Sequence, residues 1–321
     1  MQALQVTEFN TPPKLVTVDL PEPARGQVRI KVAACGLNFA DLLMIKGEYQ
    51  ATPPLPFTLG LEAAGVVDAV GEGVTAFAPG DRVSIFGGQG GLAEYACYPV
   101  QMCTKVPESM DLVTAAGFQI AYGTSHLGLT YRAELKAGET LLVLGASGGV
   151  GLTAVEIGKA LGARVIAVAR GADKCAVAQA AGADHVIDSS STEDLKGALK
   201  KLGGVDVLYD PVGGEQSAAA QRAMKPCGRI LVIGFASGDV PDFKANHLLV
   251  KNIAVHGFYW GAYAFLKPEV LSASLADLFQ MHADGRLSPH VGLTAPLAEA
   301  PAALEKLRRR ETTGKVVITM P

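Results

Sequence analysis

A glycine-rich turn follows an apolar run in the middle of the chain, in the segment LLVLGASGGVG at residues 141–151. Backbone N–H groups of such a turn can bind phosphate at the start of a helix. Gly148 then lets the backbone approach a pyrophosphate, and Gly151 lets the helix pack on the strand. Alternatively, the pattern G-x-S-x-G can expose Ser147 as a nucleophile, with Asp210 and His247 downstream as acid and base.

The surroundings of the turn favour phosphate binding. No HGGG-like segment that could form an oxyanion hole precedes it, although Ala146 replaces the first glycine of the usual G-x-G-x-x-G pattern. The next apolar run ends at Arg170, where enzymes that use NAD usually carry Asp or Glu and where a cation favours a 2′-phosphate. Lys174 can join it. The sequence therefore predicts NADPH, with turn contacts from Ala146, Ser147, Gly148, Gly149, Val150 and Gly151.

The order of elements around the turn predicts a doubly wound α/β domain. Near-continuous apolar runs begin at about residues 140, 164, 185, 206, 229 and 253, and mostly Ala-rich helical stretches separate them. Strands that are buried on both faces and alternate with helices form parallel sheets. Six such strands are typical of the full dinucleotide-binding (Rossmann) domain.

The first 125 residues have a different character. Short alternating segments such as QVRIKVAA (27–34) and GDRVSIF (80–86) lie between Gly and Pro residues, which predicts a small antiparallel barrel or sandwich. A helix is expected over 107–129. The tail after 265, with helices at about 267–284 and 298–310 and a last strand GKVVITM, is too short to fold alone. We expect domains at 1–124, completed by 266–321, and at 125–265.

Composition excludes several classes of protein. With 28 basic and 31 acidic side chains, the net charge of −3 gives no general attraction to nucleic acid or anionic lipid. No apolar run approaches the roughly 20 residues of a membrane span, and no signal peptide is evident. The five cysteines form no C-x-x-C pair, which favours the reducing cytoplasm.

Taken in order, several segments resemble the zinc-free quinone oxidoreductase (zeta-crystallin-like) branch of the medium-chain dehydrogenase/reductase superfamily. They are GLNFADLLMIKGEY (36–49), TLGLEAAGVV (58–67), GDRV (80–83), AYGTS (121–125), GASGGVG (145–151) and ETTGKVVI (311–318). The resemblance implies a GroES-like β-barrel catalytic domain beside the Rossmann domain, with a cofactor cleft between them. It also implies NADPH-dependent hydride transfer to quinones or similar electron-poor carbonyl acceptors.

Positions that hold zinc ligands in metal-dependent relatives carry other residues here. Asn38 and Leu61 replace a catalytic cysteine and a histidine, and the run GFQIAYGT lacks the further cysteine. Since zinc requires Cys or His ligands in tetrahedral reach, no metal is expected. The resemblance implies that the acceptor oxygen is stabilised by hydrogen-bond donors instead. The expected pocket residues are Asn38, Asp41, Tyr49 and Tyr122.

The resemblance also implies cofactor contacts outside the turn, and a dimer. Thr124 corresponds to a threonine at the nicotinamide, and the loop VIGFASG brings Gly234 and Phe235 to the same end. Arg310 and Lys315 flank ETTG, where relatives reach the cofactor phosphates. Relatives pair through the Rossmann edge strand, here NIAVHGFY (252–259), so a homodimer is expected. Two alternatives remain open: reduction of activated C=C bonds, as in enones or enoyl thioesters, and NADPH binding without catalysis.

Overall fold

The computed structural model describes residues 1–321 and divides the chain into two compact units. Unit 1 comprises Met1–Ile120 and Pro289–Pro321, and unit 2 comprises Ala121–Ser288. The tail thus returns to the N-terminal unit, but later than expected, because the chain leaves unit 2 at 288/289 rather than at 265/266.

Unit 1 is mostly antiparallel β-structure. Its strands and helices are β1 (Gln2–Val6), β2 (Lys14–Thr17), β3 (Gln27–Leu37), α1 (Phe39–Lys46), β4 (Phe57–Thr58), β5 (Glu62–Val70), β6 (Arg82–Phe86), β7 (Tyr95–Pro99), β8 (Cys103–Lys105), α2 (Leu112–Ala116), α3 (Gln119–Leu127, which runs on into unit 2), and, in the tail, β15 (Val291–Pro296), α11 (Ala300–Arg308) and β16 (Lys315–Thr319). The larger sheet has the order β15-β16-β3-β5-β6-β8, with β7 paired to β3.

The alternation predicted for residues 27–34 explains how β3 sits at the centre of this sheet. Val28, Ile30 and Val32 are buried in the core of unit 1, together with Val67 and Ile85 from the neighbouring strands. The last strand of the chain, β16, pairs antiparallel with the end of β3, so that Val316 lies opposite Leu37. This register brings the ETTGK segment of the tail next to the GLN segment that begins α1.

Unit 2 holds the parallel sheet. Its remaining strands and helices are β9 (Thr140–Val143), α4 (Gly149–Ala160), β10 (Arg164–Ala169), α5 (Ala172–Ala180), β11 (His185–Asp188), α6 (Leu195–Lys201), β12 (Val205–Asp210), α7 (Gly214–Ala223), β13 (Met224–Val232), α8 (Ala245–Lys251), β14 (Ala254–Gly257), α9 (Tyr263–Leu266) and α10 (Pro268–Ala283). The strand order β11-β10-β9-β12-β13-β14 is that of a six-stranded dinucleotide-binding sheet. The predicted fold class is confirmed.

Two predicted elements differ from the structure. The helix expected over 107–129 is split into α2 and α3 at Gly117, where a Cβ atom would lie 3.1 Å from Lys315 Cε. Helix α10, assigned to the tail on sequence grounds, belongs to unit 2. It buries an apolar face that includes Leu275 and Leu278, and its Ser274 hydroxyl bonds His126 Nδ1 at 2.8 Å.

The glycine turn requires small residues for packing reasons. Gly145 has φ 58°, in the left-handed region that favours glycine. A Cβ atom on Gly151 would lie 2.1 Å from the Gly145 carbonyl oxygen, whereas one on Gly148 would have only that oxygen nearby, at 3.5 Å. Gly151 is therefore needed to close helix α4 onto the turn, and Gly148 leaves space open.

No helix is both long and apolar enough to cross a membrane. All five cysteines are free thiols, and Cys35 is fully buried.

Candidate active site

Helix α4 begins at the glycine turn without the usual cap. Its N-cap residue is Gly148, no side chain accepts a hydrogen bond there, and the first turn contains no acidic residue. The first N–H groups of a helix lack partners within the helix and carry a partial positive charge. Those of Gly149 and Val150 therefore remain available to an anionic ligand, and Gly148 gives that ligand room.

The serine-nucleophile alternative finds no support in the geometry. Ser147 is buried and forms no hydrogen bond with a histidine. Asp210 uses Oδ1 to accept the N–H groups of Val212 and Gly213, at 2.9 and 2.8 Å. His247 lies on α8 in a separate cleft of about 260 Å³ that is also lined by Lys196, Lys200, Gln221, Arg222, Val250 and Lys251. The three residues do not form a triad.

Arg170, the predicted 2′-phosphate contact, lies at the end of the second strand of the parallel sheet. It follows directly after β10, which is the neighbour of β9 in the sheet, and its side chain is exposed without a protein partner. Gly171 next to it has φ 86°, and its N–H donates to Asp188 Oδ1 at 2.8 Å, which fixes the turn into α5. Lys174 lies in the first turn of α5, half-buried.

Two loops at the ends of β12 and β13 are joined beside the glycine turn. Ala236 and Ser237 donate backbone N–H groups to Pro211 and Val212, at 3.0 and 2.8 Å. A Cβ atom on Gly145 would contact Val212 at 3.0 Å, which places this loop against the turn. Gly234 and Phe235 occupy the second loop, where Phe235 is 40 % exposed. These positions agree with a contact at the nicotinamide end, which stays a prediction.

Tyr122, one of the expected pocket residues, contacts helix α4. Its hydroxyl donates to the carboxylate of Glu156. Burial and the nearby Glu156 carboxylate raise the pKa of Tyr122 above its usual range. Glu156 lies seven residues into α4, about 10 Å along the axis from the helix start that is predicted to bind phosphate. The expected place of Tyr122 in the acceptor pocket stays a prediction. Thr124 is buried on α3, and its nicotinamide contact stays a prediction.

Asn38 and Lys315 meet in a buried ionic network in unit 1. The Lys315 ammonium donates to Glu62 Oε1, Asn38 Oδ1 and the Leu37 carbonyl, each at 2.8 Å. Glu62 Oε2 accepts the Ile120 N–H at 3.0 Å. The side chains of Lys315 and Glu62 are only 8 % and 1 % exposed, so the pair is removed from water.

The network fixes the amide of Asn38 in one orientation. Its Oδ1 faces the Lys315 ammonium, which can only donate, and its Nδ2 donates to Glu62 Oε1 at 3.0 Å and to the Gly36 carbonyl at 3.2 Å. Both amide hydrogens are therefore engaged. Asn38 cannot supply the hydrogen bond that was expected to stabilise a negative acceptor oxygen, although a lone pair of Oδ1 can still accept one.

Asp41 holds the backbone of the turn that contains Asn38. Its carboxylate accepts the N–H groups of Asn38 at 2.8 Å and of Gly60 at 3.2 Å, and the side chain is fully buried in α1. Burial raises the pKa of Asp41 from 3.8 to about 7, against the opposing effect of those hydrogen bonds and of the Lys315 charge. Asp41 thus braces the turn that carries Asn38, as a group that titrates near neutral pH.

The remaining expected residues have separate surroundings. Tyr49 is half-buried against the core of unit 1, just after α1. Arg310 is exposed, with φ 58°, at the end of α11.

Lys315 has all three of its donors bound to protein acceptors, which argues against its expected contact with a cofactor phosphate. We assign it instead to the network around Asn38.

Glu62 is the one member of the network that sequence reasoning missed. It lies in the quoted segment TLGLEAAGVV, directly after Leu61, and its partner Lys315 is 253 residues away. A signal was present in Gly36, where a Cβ atom would lie 2.9 Å from Glu62 Oε1 and 2.5 Å from the Ala116 carbonyl oxygen. Gly36, directly before the segment LNFAD (37–41), therefore marks the place where the Glu62 carboxylate packs.

Comparison with known proteins identifies the family. The model for the alcohol dehydrogenase GroES-like domain matches residues 24–108, and the model for zinc-binding dehydrogenases matches 149–279. The chain therefore belongs to the medium-chain dehydrogenase/reductase superfamily. It is 37% identical over 312 residues to quinone oxidoreductase-like protein 2 from Bos taurus, covering 96% of this chain and 89% of that protein. Within the superfamily it is a member of the quinone oxidoreductase branch, as the resemblance indicated, and an oxidoreductase.

Solved structures agree with this assignment. Escherichia coli quinone oxidoreductase complexed with NADPH has a TM-score of 0.92 at 29% identity, covering 99% of this chain and 100% of that one. Quinone oxidoreductase from Thermus thermophilus, solved alone and with NADPH, has a TM-score of 0.89 at 33% identity and the same coverage. A further relative by sequence is the human synaptic vesicle membrane protein VAT-1 homolog, which is 33% identical over 316 residues, covering 93% of this chain and 80% of that protein.

One of the matching family models is named for zinc, and the residues present do not fit that ion. At two positions that hold zinc ligands in metal-dependent relatives, this chain has the aliphatic Leu61 and Asn38, whose amide is bound to Lys315 and Glu62. Nowhere in the chain do three His, Cys, Asp or Glu side chains cluster as metal ligands.

The buried pair predicts strong coupling between its two residues. Replacing either Glu62→Gln or Lys315→Met leaves one buried charge without a partner, which should cost about 3–5 kcal/mol of unfolding free energy. The double variant removes both charges and should cost at least about 2 kcal/mol less than the sum of the single changes. Urea unfolding of the four proteins at pH 7 measures the coupling.

The exposed pair of Glu305 and Arg308 is the matched control. Its side chains are 39% and 59% exposed, so Glu305→Gln should leave the free energy of unfolding nearly unchanged. Additive effects of the two substitutions in the buried pair would contradict the network described above.

The raised pKa of Asp41 predicts a specific pH dependence of stability. Because its folded pKa of about 7 lies above 3.8, ionisation of this group favours the unfolded chain. Its contribution to stability is full below about pH 4 and is lost as the pH rises toward 7. The destabilisation caused by Asp41→Asn should therefore be smaller at pH 8 than at pH 4.5, by on the order of 3 kcal/mol. Urea unfolding at both pH values measures it, and an equal or larger effect at pH 8 would refute the shift.

Proposed function

We propose that this protein is an NADPH-dependent reductase that transfers hydride to quinones without a metal ion. The observation that carries the cofactor assignment is the uncapped start of α4 beside the exposed Arg170. The helix N-terminus suits the pyrophosphate, and the guanidinium suits the 2′-phosphate that distinguishes NADPH from NADH. The NADPH complexes of the Escherichia coli and Thermus thermophilus relatives support the same cofactor.

The network around Asn38 supports quinones as the acceptor class. With its amide hydrogens engaged and no metal ligands present, unit 1 offers little to stabilise a strongly basic oxyanion. A reduced quinone is a phenolate, whose conjugate acid resembles tyrosine with a pKa of about 10. An alkoxide from an ordinary ketone is a far stronger base and would require a Lewis acid or an oxyanion hole. The site therefore suits an acceptor that stabilises its own negative charge.

The roles of the residues follow from this assignment. NADPH, when bound, supplies the hydride. Gly149 and Val150 hold the pyrophosphate with backbone N–H groups, Gly148 leaves space for it, and Arg170 holds the 2′-phosphate. Tyr49 is the candidate donor to the acceptor oxygen. Asn38 contributes an acceptor atom, Oδ1, that Lys315 keeps in place.

This function predicts that Arg170→Ala removes the preference for NADPH. A lost hydrogen bond to a charged group is worth about 1.5–3 kcal/mol, so the Kd for NADPH should rise roughly 10- to 100-fold while that for NADH changes little. Fluorescence titration with both nucleotides measures the change. Lys201→Ala, an exposed cation on α6, is the control.

Steady-state NADPH oxidation with 1,4-benzoquinone and with a simple enone, using the same proteins, tests the reaction. We expect turnover of the quinone above the uncatalysed rate, with the loss in Arg170→Ala appearing in the KM for NADPH. Exclusive turnover of the enone would replace the proposed function with C=C reduction. Nucleotide binding without any turnover would leave a binding protein.

We also propose a homodimer that forms along β14. This strand is at the edge of the parallel sheet, and Leu249 and Phe265, which precede and follow it in the chain, are 76% and 78% exposed. An uncovered edge beside apolar side chains favours association. Sedimentation velocity at micromolar concentration should show a dimer that Phe265→Asp weakens and that Leu20→Asp, an exposed position in unit 1, leaves intact. A monomeric wild type would refute the proposal.

A further inference from the structure

The chain passes between its two units twice, and both passages are bound to one helix. The crossings lie at 120/121 and 288/289. On the unit 2 side, residues 121–125 form the first connection and residues 286–288 the second. Both contact α4, the helix whose first turn is assigned to NADPH.

The first connection is held by three polar groups of α4. Thr153 Oγ1 donates to the Ala121 carbonyl at 3.0 Å, and Ser125 Oγ donates to the Val150 carbonyl at 3.0 Å. The Tyr122 hydroxyl donates to Glu156 Oε2. Tyr122 and Ser125 are buried, so these contacts are shielded from competing water.

The second connection reaches the same helix one turn further along. The Ser288 N–H donates to Glu156 Oε1, and Arg286 Nη2 donates to the Ala160 carbonyl at 3.0 Å. Leu287 between them is buried. One oxygen of the Glu156 carboxylate thus binds each connection.

We infer that Glu156 is a positioning residue that fixes both chain connections of unit 2 to the NADPH-binding helix. An ionised carboxylate accepts hydrogen bonds at both oxygens, and bonds to charged groups are about twice as strong as neutral ones. Hydride transfer requires the reacting atoms to approach within about 3–3.5 Å. Because α4 is the helix proposed to hold NADPH, we expect the attachment of the two connections to α4 to affect the rate of this step. This inference rests on the proposed function for its kinetic consequence, but not for its structural one.

The structural consequence is tested by hydrogen–deuterium exchange of the full-length protein without nucleotide. In Glu156→Gln, peptides covering 121–127 and 284–290 should both exchange about tenfold faster than in wild type, because the amide cannot accept both donors. Tyr122→Phe should accelerate only the first peptide, and Arg286→Ala only the second. Lys159→Gln is the matched control, since Lys159 lies on α4 but bonds Asp184.

The kinetic consequence is a split between binding and turnover. The Kd for NADPH in Glu156→Gln should stay within about threefold of wild type, because the helix start is unchanged. The kcat for quinone reduction should fall about tenfold, and Lys159→Gln should change neither constant. Urea unfolding of each variant separates these effects from global destabilisation.

Faster exchange in only one connection, or in neither, would overturn the inference. A rise in the Kd for NADPH that parallels the fall in kcat in Glu156→Gln would also overturn it. Accelerated exchange in both connections with no NADPH binding by wild type would instead refute the proposed function and leave the anchoring role in place.

Discussion

An uncapped helix N-terminus is the constraint on which the nucleotide-binding unit depends. The first N–H groups of α4 have no partner within the helix, and the chain places glycine where most helices carry Ser, Thr or Asp. Such a start is stable only if a ligand or water completes it. The fit of Gly151 against Gly145 and the contact of the Val212 loop with Gly145 shape the turn next to those unpartnered groups. The local sequence therefore lacks a stabilising side-chain N-cap at this point and leaves N–H groups available to an anionic ligand.

The remainder of α4 has a different task from its first turn. Thr153 and Glu156 face the residues at which the chain enters and leaves the unit, and they do so with polar atoms that are mostly buried. Helices transmit position well because their hydrogen bonds make them stiff over a few turns. One helix thus carries the N–H groups that are proposed to bind the cofactor and contacts both points at which the polypeptide departs. This arrangement explains why the carboxylate lies in a helix whose other inward residues are apolar or small.

The sequence predicted the parallel sheet well because its signals are local. Each strand is a short apolar run, and the next run begins within about 24 residues, after a helix. The observed strands begin close to the predicted positions, except for β13, which begins at Met224. The ionic network could not be predicted in the same way. Lys315 and Glu62 are 253 residues apart, and only the antiparallel register of β16 on β3 brings them together. Helix α10 was misassigned for the same reason, since its partners in unit 2 are distant in sequence.

The buried pair in unit 1 is better explained by orientation than by stability. Removing a carboxylate and an ammonium from water costs several kcal/mol, and apolar replacements of similar volume are often at least as stable. The pair does something that apolar side chains cannot. Because Lys315 only donates and Glu62 only accepts, the Asn38 amide can adopt a single orientation, in which its hydrogens point to protein and its oxygen retains a lone pair. Under the proposed function, a site built in this way favours an acceptor that needs little help with negative charge, which gives a reason to retain two buried charges.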